Sequence, residues 1–261
     1  MDHILNIETS TSVCSVSISA GSNVLILKET RVDRSHAALL TVMIEEAMSE
    51  SGMDFTHLSA VAVSKGPGSY TGLRIGVSTA KGICYAGGLP LIATDTMKTM
   101  ALKVIGSIIN AGDGTENNIF QSGSASGLVQ YAGEFHEWIH KGGNVLLCPM
   151  IDARRMEVYL ALFDKHGNQV REVCAEIIDE SSFSGILDDN KIIFFGDGAG
   201  KCMEKINHRN ALFIPDIYPS AGQMAELSYE SFKSGDFENT AYFEPFYLKD
   251  FLATTPRNKL S

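Results

Sequence analysis

The sequence predicts an α/β fold of two lobes that share one plan. A three-stranded meander opens the chain, and alternating helices and strands follow it. From Val145 the same order of strand, polar turn, hairpin, strand and glycine loop returns, although the residues are barely alike. The predicted units are a first lobe over residues 1–105, an insertion rich in glycine and serine over 106–144, and a second lobe over 145–261. Packing of the last helix back onto the first lobe is one alternative for the second lobe.

The predicted meander comes first. Its opening strand, Ile4–Ile7, is apolar and ends in the polar turn Glu8–Ser12. In the next strand, Val16–Ala20, apolar residues alternate with serines, which predicts one face in the core and one face in water. Val24–Glu29 supplies the third strand.

Helices and strands alternate after the meander. An apolar stripe predicts a helix over Ser35–Ser51, and core packing is the simplest explanation of the stripe, although its width leaves part of it for a partner. A β-branched strand, Ala60–Ser64, leads into the glycine-rich stretch Lys65–Gly76, and a helix over Thr71–Ala86 follows. The remaining predicted elements of the lobe are a strand over Leu89–Ala93 and a helix that starts at Thr94 or Asp95 and runs through Ile105.

The second lobe repeats this plan. Its first strand ends in a charged turn, Asp152–Arg155, and its fourth strand runs into a second glycine loop, Gly196–Gly200. Ser220 and Gln223 have the spacing of a capping box, which predicts the start of the last helix. The predicted elements are strands over Val145–Ile151, Glu157–Phe163, Gln169–Ile178 and Ile192–Phe195, and a helix over Gln223–Lys233.

The composition is that of a globular protein with a full core, since 44% of the 261 residues are hydrophobic and 20% are charged. The net charge of -10 argues against a protein that binds nucleic acid by itself, because phosphate contacts need clustered lysine and arginine. Five scattered cysteines without a Cys-x-x-Cys pair favour a reducing compartment. With no basic leader and no long apolar run, we expect a cytoplasmic protein without membrane contact.

Strand-end turns that face each other across a cleft between duplicated lobes are the plan of the actin, sugar-kinase and Hsp70 superfamily, whose lobes are ribonuclease H-like and whose turns hold a nucleotide. The predicted chain is similar to this plan, which implies a two-lobed, duplicated actin-like fold. In that superfamily the first strand usually ends in Asp, whereas here it ends in Glu8. The longer side chain weakens the case for a magnesium-nucleotide site, and a small actin-fold kinase stays as an alternative function.

The glycine-rich stretch is the first candidate site. Glycine adopts backbone angles that other residues avoid, and Ser69 or Thr71 can cap the following helix, so the loop can present N–H groups to an anion. The alternative is that the glycines only let strand and helix pack closely. The candidate residues for nucleotide or anion contact are Glu8, Gly66, Gly68, Ser69, Thr71 and Arg74.

The second lobe offers two further stretches. Gly196–Lys201 is not a P-loop, because Phe195 replaces its first glycine and Cys202 replaces the hydroxyl that holds magnesium. Asp152, Arg154 and Arg155 are predicted to face the cleft between the lobes, where they would meet a phosphate or a partner carboxylate. A buried salt bridge between the lobes is the slightly favoured alternative.

Four motifs, in order along the chain, resemble one family closely: Ile4–Ser10, Gly66–Gly76, Asp152–Tyr159 and Phe195–Ala199. The family is TsaB, also called YeaZ, of bacterial threonylcarbamoyladenosine synthesis, which is related to TsaD and to the so-called glycoproteases. The resemblance covers nearly everything except residues 106–144. Its glycine motif is highly specific.

The resemblance implies a subunit that is not itself the catalyst. In this family the protein pairs with its larger relative TsaD, which transfers a threonylcarbamoyl group to the tRNA adenosine beside the anticodon, and with the ATPase TsaE. We therefore expect no catalytic residue here, tRNA contact only through the complex, no tightly bound cofactor, and ATP or ADP at most within the complex. TsaD carries a His-x-x-x-His metal pair on a helix, and Thr96–Met100 at the corresponding place offers only weak ligands.

The resemblance also implies that the pairing surface is a helix bundle, here built from Ser35–Ser51 and Thr71–Ala86. Self-pairing of this surface into a homodimer is expected when the partner is missing. The residues expected near the seam, each with ordinary core packing as its alternative, are Leu40, Met43, Ile44, Leu73, Val77 and Ala80.

One motif does not fit the family. The pentapeptide His136–His140 reads His-Glu-Trp-Ile-His and ends a possible helix over Val129–His140. On a helix, His136 and His140 would share one face as metal ligands with Glu137 as general base, which makes a zinc metallopeptidase the other alternative function. The longer pattern needs a third histidine where Leu146 stands, and the sequence favours a surface coincidence.

Overall fold

The structure, a computed structural model, describes residues 1–32, 36–112, 138 and 144–249, with the backbone alone at 108–112. The strands within these ranges are β1 His3–Glu8, β2 Cys14–Ala20, β3 Asn23–Thr30, β4 Ala60–Gly66, β5 Leu91–Asp95, β6 Val145–Asp152, β7 Glu157–Asp164, β8 Gln169–Ile177, β9 Lys191–Gly196 and β10 Ala211–Pro215. The helices are α1 His36–Ser51, α2 Tyr70–Gly87, α3 Thr96–Gly112, α4 Ser184–Leu187, α5 Ala199–Cys202 and α6 Ala221–Ser234.

The two lobes are two five-stranded sheets of identical topology. The first sheet has the order β3-β2-β1-β4-β5 and the second has the order β8-β7-β6-β9-β10. In each sheet the first three strands pair antiparallel, while the first, fourth and fifth pair in parallel. A helix follows the third, fourth and fifth strand of each lobe. The predicted duplicated, two-lobed actin-like α/β fold is therefore confirmed.

The central strands of the first sheet are mostly apolar on both faces because helices cover both faces. Leu5 and Ile7 of β1 pack with α1 and α2 on one side. Ile4, whose side chain is on the opposite face of the strand, packs with Ala221 and Met224 of α6. The last helix of the chain therefore belongs to the core of the first lobe.

The predicted water-facing side of β2 is wrong. Ser15, Ser17 and Ser19 are all fully buried, because α6 covers this face of the sheet. The N–H of Ala221 donates a hydrogen bond to Ser15 Oγ at 2.8 Å, and Ser17 Oγ donates to the carbonyl of Ala221 at 2.9 Å. The serine face is a polar seat for a helix, and its hydroxyls are satisfied inside the protein.

Helix α3, the last helix of the first lobe, packs in turn on the sheet of the second lobe. Its residues Met97, Met100 and Val104 are buried in a cluster with Leu147 of β6 and Ile193 of β9. The last helix of each lobe thus packs on the sheet of the other lobe. This exchange joins the two lobes through their cores rather than through a surface contact.

Two predicted helix boundaries need correction. Helix α3 continues to Gly112, past the predicted end at Ile105. The capping box at the start of α6 does not form: Ser220 is the N-cap but makes no side-chain hydrogen bond, and Gln223 Oε1 has no partner among the described residues. The first turn is held instead by the bond between Ala221 and Ser15 on the sheet.

Of the predicted helix over Val129–His140, only Trp138 lies within the described residues. It is helical and buried against the second sheet, where the Lys191 ammonium lies 4.9 Å from the centre of its ring. Among the described helices, none combines the length and the apolarity that crossing a bilayer requires.

Candidate functional site

The first glycine loop packs on the turn that ends β1. The N–H of Ser69 donates a hydrogen bond of 2.6 Å to the carbonyl of Ser10. A Cβ at Gly68 would overlap that carbonyl, and a Cβ at Gly72 would overlap the carbonyl of Thr9. These glycines therefore let the loop and the start of α2 approach the backbone of the β1 turn. This is the close-packing alternative that the sequence left open for the glycine-rich stretch.

The second glycine loop repeats this contact in the other lobe. Gly66 and Gly196 end β4 and β9, and both have a positive φ, at 103° and 116°. A Cβ at Gly196 would overlap the carbonyl of Met150 in β6. In both lobes, therefore, the glycine loop lets the chain after the fourth strand approach the first strand of the same sheet.

Glu8 is fully buried beneath the first loop. Its Oε1 accepts hydrogen bonds from the N–H of Ser10 at 2.6 Å and from Ser64 Oγ at 2.9 Å, while Oε2 has no partner among the described residues. Burial raises the pKa of this carboxyl above its ordinary value, and the hydrogen bonds only partly offset that effect. A carboxyl enclosed in this way supports the turn, and it lends no support to the kinase alternative.

The remaining predicted anion contacts lie at the start of α2. Ser69 is the N-cap, and its Oγ accepts from the N–H of Gly72 at 3.3 Å; Thr71 is exposed. Arg74 donates to Tyr70 Oη at 2.9 Å and lies over that ring. Nucleotide or anion contact at these residues stays a prediction, since packing already accounts for the glycines.

The six residues expected near the partner seam are all in the core of the first lobe. Each is less than a tenth exposed, and those on α1 pack in one cluster with Val77 and Ala80 of α2. Contact with a partner on these helices has to be made by the residues beside them. The exposed residues of the two helices, which we call the α1/α2 face, include Ala38, Val42, Ser78, Gly82 and Tyr85.

The α1/α2 face combines small residues with two exposed apolar side chains. Gly82 has open space where a Cβ would be, and Ser78, one turn before it, is exposed. Val42 is 43% exposed and Tyr85 is 89% exposed, so both add apolar area to this face. The signal was present in the sequence, because Tyr85 falls outside the helical stripe that Leu73 begins.

A C-terminal strap, residues 236–249, runs along α2. Lys81 Nζ donates to the carbonyls of Ala241 and Phe243, at 3.1 and 3.0 Å, and the Phe243 side chain packs against the core. Further on, the N–H of Phe246 donates to the carbonyl of Lys65 at 2.7 Å. The strap therefore passes over the end of β4 where the glycine loop begins, and a groove lined by Lys81, Gly82, Tyr85 and Asn239–Ala241 separates it from α2.

The strap ends on the second lobe, where Lys249 forms an ion pair with Glu157. This contact and the exchanged helices replace the interlobe salt bridge that was the favoured alternative for the Asp152–Arg155 turn. Asp152 is half-exposed and pairs with Lys201 of its own lobe, and Arg154 and Arg155 are exposed. The salt-bridge interpretation of these residues is therefore wrong.

Asp197, in the second glycine loop, fixes the Asp152 backbone. Its Oδ1 accepts from the N–H of Asp152 at 3.0 Å. Burial raises the pKa of Asp197 to about 6, and the neighbouring Asp152 carboxylate adds to the shift. The second-lobe turn is thus held by a buried carboxyl whose pKa is raised to about 6.

Metal-binding residue types are not clustered in the part of the chain that the structure describes, where no three His, Cys, Asp or Glu side chains are grouped to hold an ion. His136, Glu137 and His140 lie outside the described residues. Thr96 and Met100, at the start of α3, are fully buried, and Met100 packs in the second-lobe core.

A family model described as "TsaD: tRNA N6-adenosine threonylcarbamoyltransferase" matches residues 29–137. The tRNA threonylcarbamoyladenosine biosynthesis protein TsaB of Escherichia coli is 27% identical, and the match covers 96% of each chain. The chain is similar to the TsaB (YeaZ) family along its whole length. The family is related to TsaD, and a tRNA N6-adenosine threonylcarbamoyltransferase of Halalkalibacterium halodurans is 54% identical over 59 residues, which are 23% of this chain and 17% of that protein.

The fold agrees with that of a solved TsaB-family protein. YeaZ from Pseudomonas aeruginosa superposes with a TM-score of 0.69 at 20% identity, over 95% of this chain and 100% of that one. The likeness extends across both lobes, so the two proteins share the same fold over nearly their whole length.

Proposed function

We propose that the chain is a non-catalytic subunit that binds and activates a TsaD-like transferase in the synthesis of threonylcarbamoyladenosine beside the tRNA anticodon. The end-to-end similarity to the TsaB of Escherichia coli carries this proposal, because it spans both lobes rather than one shared motif. The relation to TsaD supports a pair of homologous subunits, in which a like surface of each meets the other.

The α1/α2 face is the proposed pairing surface. Its small residues, Ala38, Ser78 and Gly82, permit the close approach of another helix, since interaxial distances depend on the side chains at the contact. Val42 and Tyr85 add exposed apolar area that a partner would cover. The buried stripe beneath this face stiffens it without touching the partner.

The residue types at the start of α3 support the non-catalytic role. A metal pair needs imidazole or carboxylate donors one helical turn apart, and Thr96 and Met100 supply neither. Both side chains are packed inside the protein, so they are not aimed at a ligand. In the proposed assembly the partner provides the catalytic site.

The other parts of the proposal follow from the same assembly. A TsaE-like ATPase is the second partner, ATP or ADP is bound only in the complex, and tRNA is reached through the complex. In the absence of the transferase the α1/α2 face pairs with a second copy of the chain. The working place of this assembly is the cytoplasm.

A Gly82→Arg variant tests the pairing surface. Gly82 is exposed, helical and has no atom within 4 Å of the position of a Cβ, so an arginine fits the free chain and removes a helix-destabilising glycine. On the surface of a partner helix the same side chain would clash. We expect wild type to bind the TsaD-like protein of the same organism in a size-exclusion or titration experiment, and the variant to bind at least tenfold more weakly.

Gly185→Arg is the matched control, because Gly185 is also exposed, helical and free of neighbours, but lies on the second lobe. It should bind like wild type. Equal binding by both variants would remove the α1/α2 face from the proposal, and no binding by wild type would remove the proposed function. A substitution at Leu73 is a poor test, because that side chain is fully buried and a polar residue there would unfold the lobe.

A further inference from the structure

The turn between β6 and β7 has an unusual pair of residues at its tip. Arg154 and Arg155 are consecutive, exposed, and both in the left-handed region, with φ of 73° and 52°. Residues other than glycine rarely adopt such angles, and turns that require them use Gly, Asn or Asp. Two arginines in succession are therefore a locally unfavourable choice for this turn.

The turn is held in this conformation by its surroundings. The N–H of Arg154 donates to Asp152 Oδ1 at 2.8 Å, and the carbonyl of Arg154 accepts from the N–H of Glu157 at 3.2 Å. Lys201 Nζ contacts Asp152 and donates to the carbonyl of Glu157 at 2.7 Å. Because these contacts fix the backbone on both sides of the tip, the strained conformation is maintained and both arginine side chains extend from one rigid turn.

The two guanidinium groups carry the uncompensated charge of this surface. Lys201 is paired with Asp152, and Lys249 is paired with Glu157. Within the described residues, neither the Arg154 nor the Arg155 side chain has an ion pair or a side-chain hydrogen bond. A chain with a net charge of -10 thus holds two adjacent free cations at the tip of a pinned hairpin.

We propose that Arg154 and Arg155 bind phosphates of the tRNA backbone when the chain is in its complex with the transferase. The inference rests on the proposed function. The planar guanidinium fork matches a phosphate in a bidentate manner, and two forks on one rigid turn suit a ligand that repeats its anions along a chain. The net negative charge repels RNA at long range, so the contact operates only where the partner has already placed the tRNA against this lobe.

The experiment uses the complex reconstituted with the TsaD-like and TsaE-like proteins of the same organism, and it measures tRNA affinity over a series of salt concentrations. In Arg154→Gln/Arg155→Gln we expect the complex to assemble as in wild type, with a tRNA affinity lower on the order of tenfold and a salt slope shallower by about 1 to 2. The double variant Lys165→Gln/Arg209→Gln removes the same charge from exposed positions of the same lobe and should behave as wild type.

A second variant separates binding from folding. Arg154→Asn/Arg155→Gly places residues that favour a positive φ in the turn, so we expect the Tm of the free chain to rise by a few degrees while the tRNA affinity falls as in the glutamine variant. A purely structural role for the arginines predicts the opposite, with a lower Tm and an unchanged affinity.

Three results would overturn the inference. A salt slope and affinity equal to those of the Lys165/Arg209 control would show that the turn does not touch RNA. Failure of the glutamine variant to assemble would assign the arginines to a carboxylate of the protein partner. Loss of ATP binding by the complex with unchanged tRNA affinity would assign them to a nucleotide.

If wild type itself does not assemble, the proposed function fails first, which the wild-type measurement shows before any variant is compared.

Discussion

Ser228 Oγ donates a hydrogen bond of 2.7 Å to the side-chain carbonyl of Asn6, although 222 positions separate the two residues. Both are fully buried, Ser228 on α6 and Asn6 on β1. The amide group of Asn6 in turn lies 3.2 Å from Ser17 Oγ and 3.3 Å from Ser19 Oγ. One polar network therefore joins the last helix of the chain to the first two strands.

Ser228→Ala should lower the free energy of unfolding by about 1–3 kcal/mol, because the Asn6 carbonyl is left buried with no donor. For a chain of this size the corresponding fall in Tm is about 2–4 °C for each kcal/mol, measured by thermal unfolding. The control is Ser234→Ala at the exposed end of the same helix, which should change the stability by less than about 0.5 kcal/mol. Equal effects from the two variants would mean that the network adds nothing to the packing of α6.

Two glycines of α2 should respond to alanine with opposite signs. Gly72→Ala places a Cβ against the carbonyl of Thr9 and should destabilise the chain by more than about 2 kcal/mol, because the close approach of α2 to the β1 turn is lost. Gly82→Ala meets open space and should stabilise it by about 0.5–1 kcal/mol through helix propensity. Urea unfolding of the two variants measures both, and a stable Gly72→Ala would show that the loop can retreat from the turn.

Periodicity predicted which elements exist, and the repeated order of those elements predicted the two lobes. Periodicity did not predict the burial of residues whose surroundings are set by an element far away in the sequence. The alternation that includes Ser17 is the same whether water or α6 covers the serines, and only the fold shows that α6 does. The stripe that includes Leu40 likewise has the same pattern for a core and for a partner surface, and only the absence of Tyr85 from the stripe of its helix indicated an exposed position.

Asp197 should make the stability of the chain fall as the pH rises from about 4 to about 6. Its pKa is raised from an ordinary 3.8 to about 6 by burial, so the folded state holds the proton more tightly than the unfolded state does. That contribution is complete below the unfolded pKa and is lost above the folded one. In Asp197→Asn the Oδ1 acceptor for the Asp152 N–H is kept, and the dependence disappears.

The measurement is urea unfolding of wild type and Asp197→Asn at pH values between 4 and 7.5. The stability of the variant relative to wild type should rise across pH 4–6 by up to about 3 kcal/mol and then stay level. The same substitution at the exposed Asp189 corrects for the general effect of removing one negative charge. Parallel curves for wild type and Asp197→Asn would show that Asp197 is solvated in the folded chain.

Lys81→Ala should loosen the C-terminal strap without unfolding the first lobe. The ammonium group bridges the carbonyls of Ala241 and Phe243, and its removal leaves this part of the strap held by the Phe243 side chain and by the Phe246 amide bonded to Lys65. Hydrogen exchange over residues 241–247 should accelerate on the order of tenfold, while exchange in β1 and β4 stays unchanged.

Lys98→Ala, at an exposed lysine of α3, is the control for the loss of one positive charge and should leave the strap as in wild type. Unchanged exchange in Lys81→Ala would mean that the other contacts are enough to fix the strap, among them the Phe246 amide on Lys65 and the contact between the Tyr247 and Tyr70 rings at 4.9 Å. The distinction matters for the α1/α2 face. Lys81 lies in the same groove as Gly82 and Tyr85, so a partner that covers this face would also cover the lysine that holds the strap.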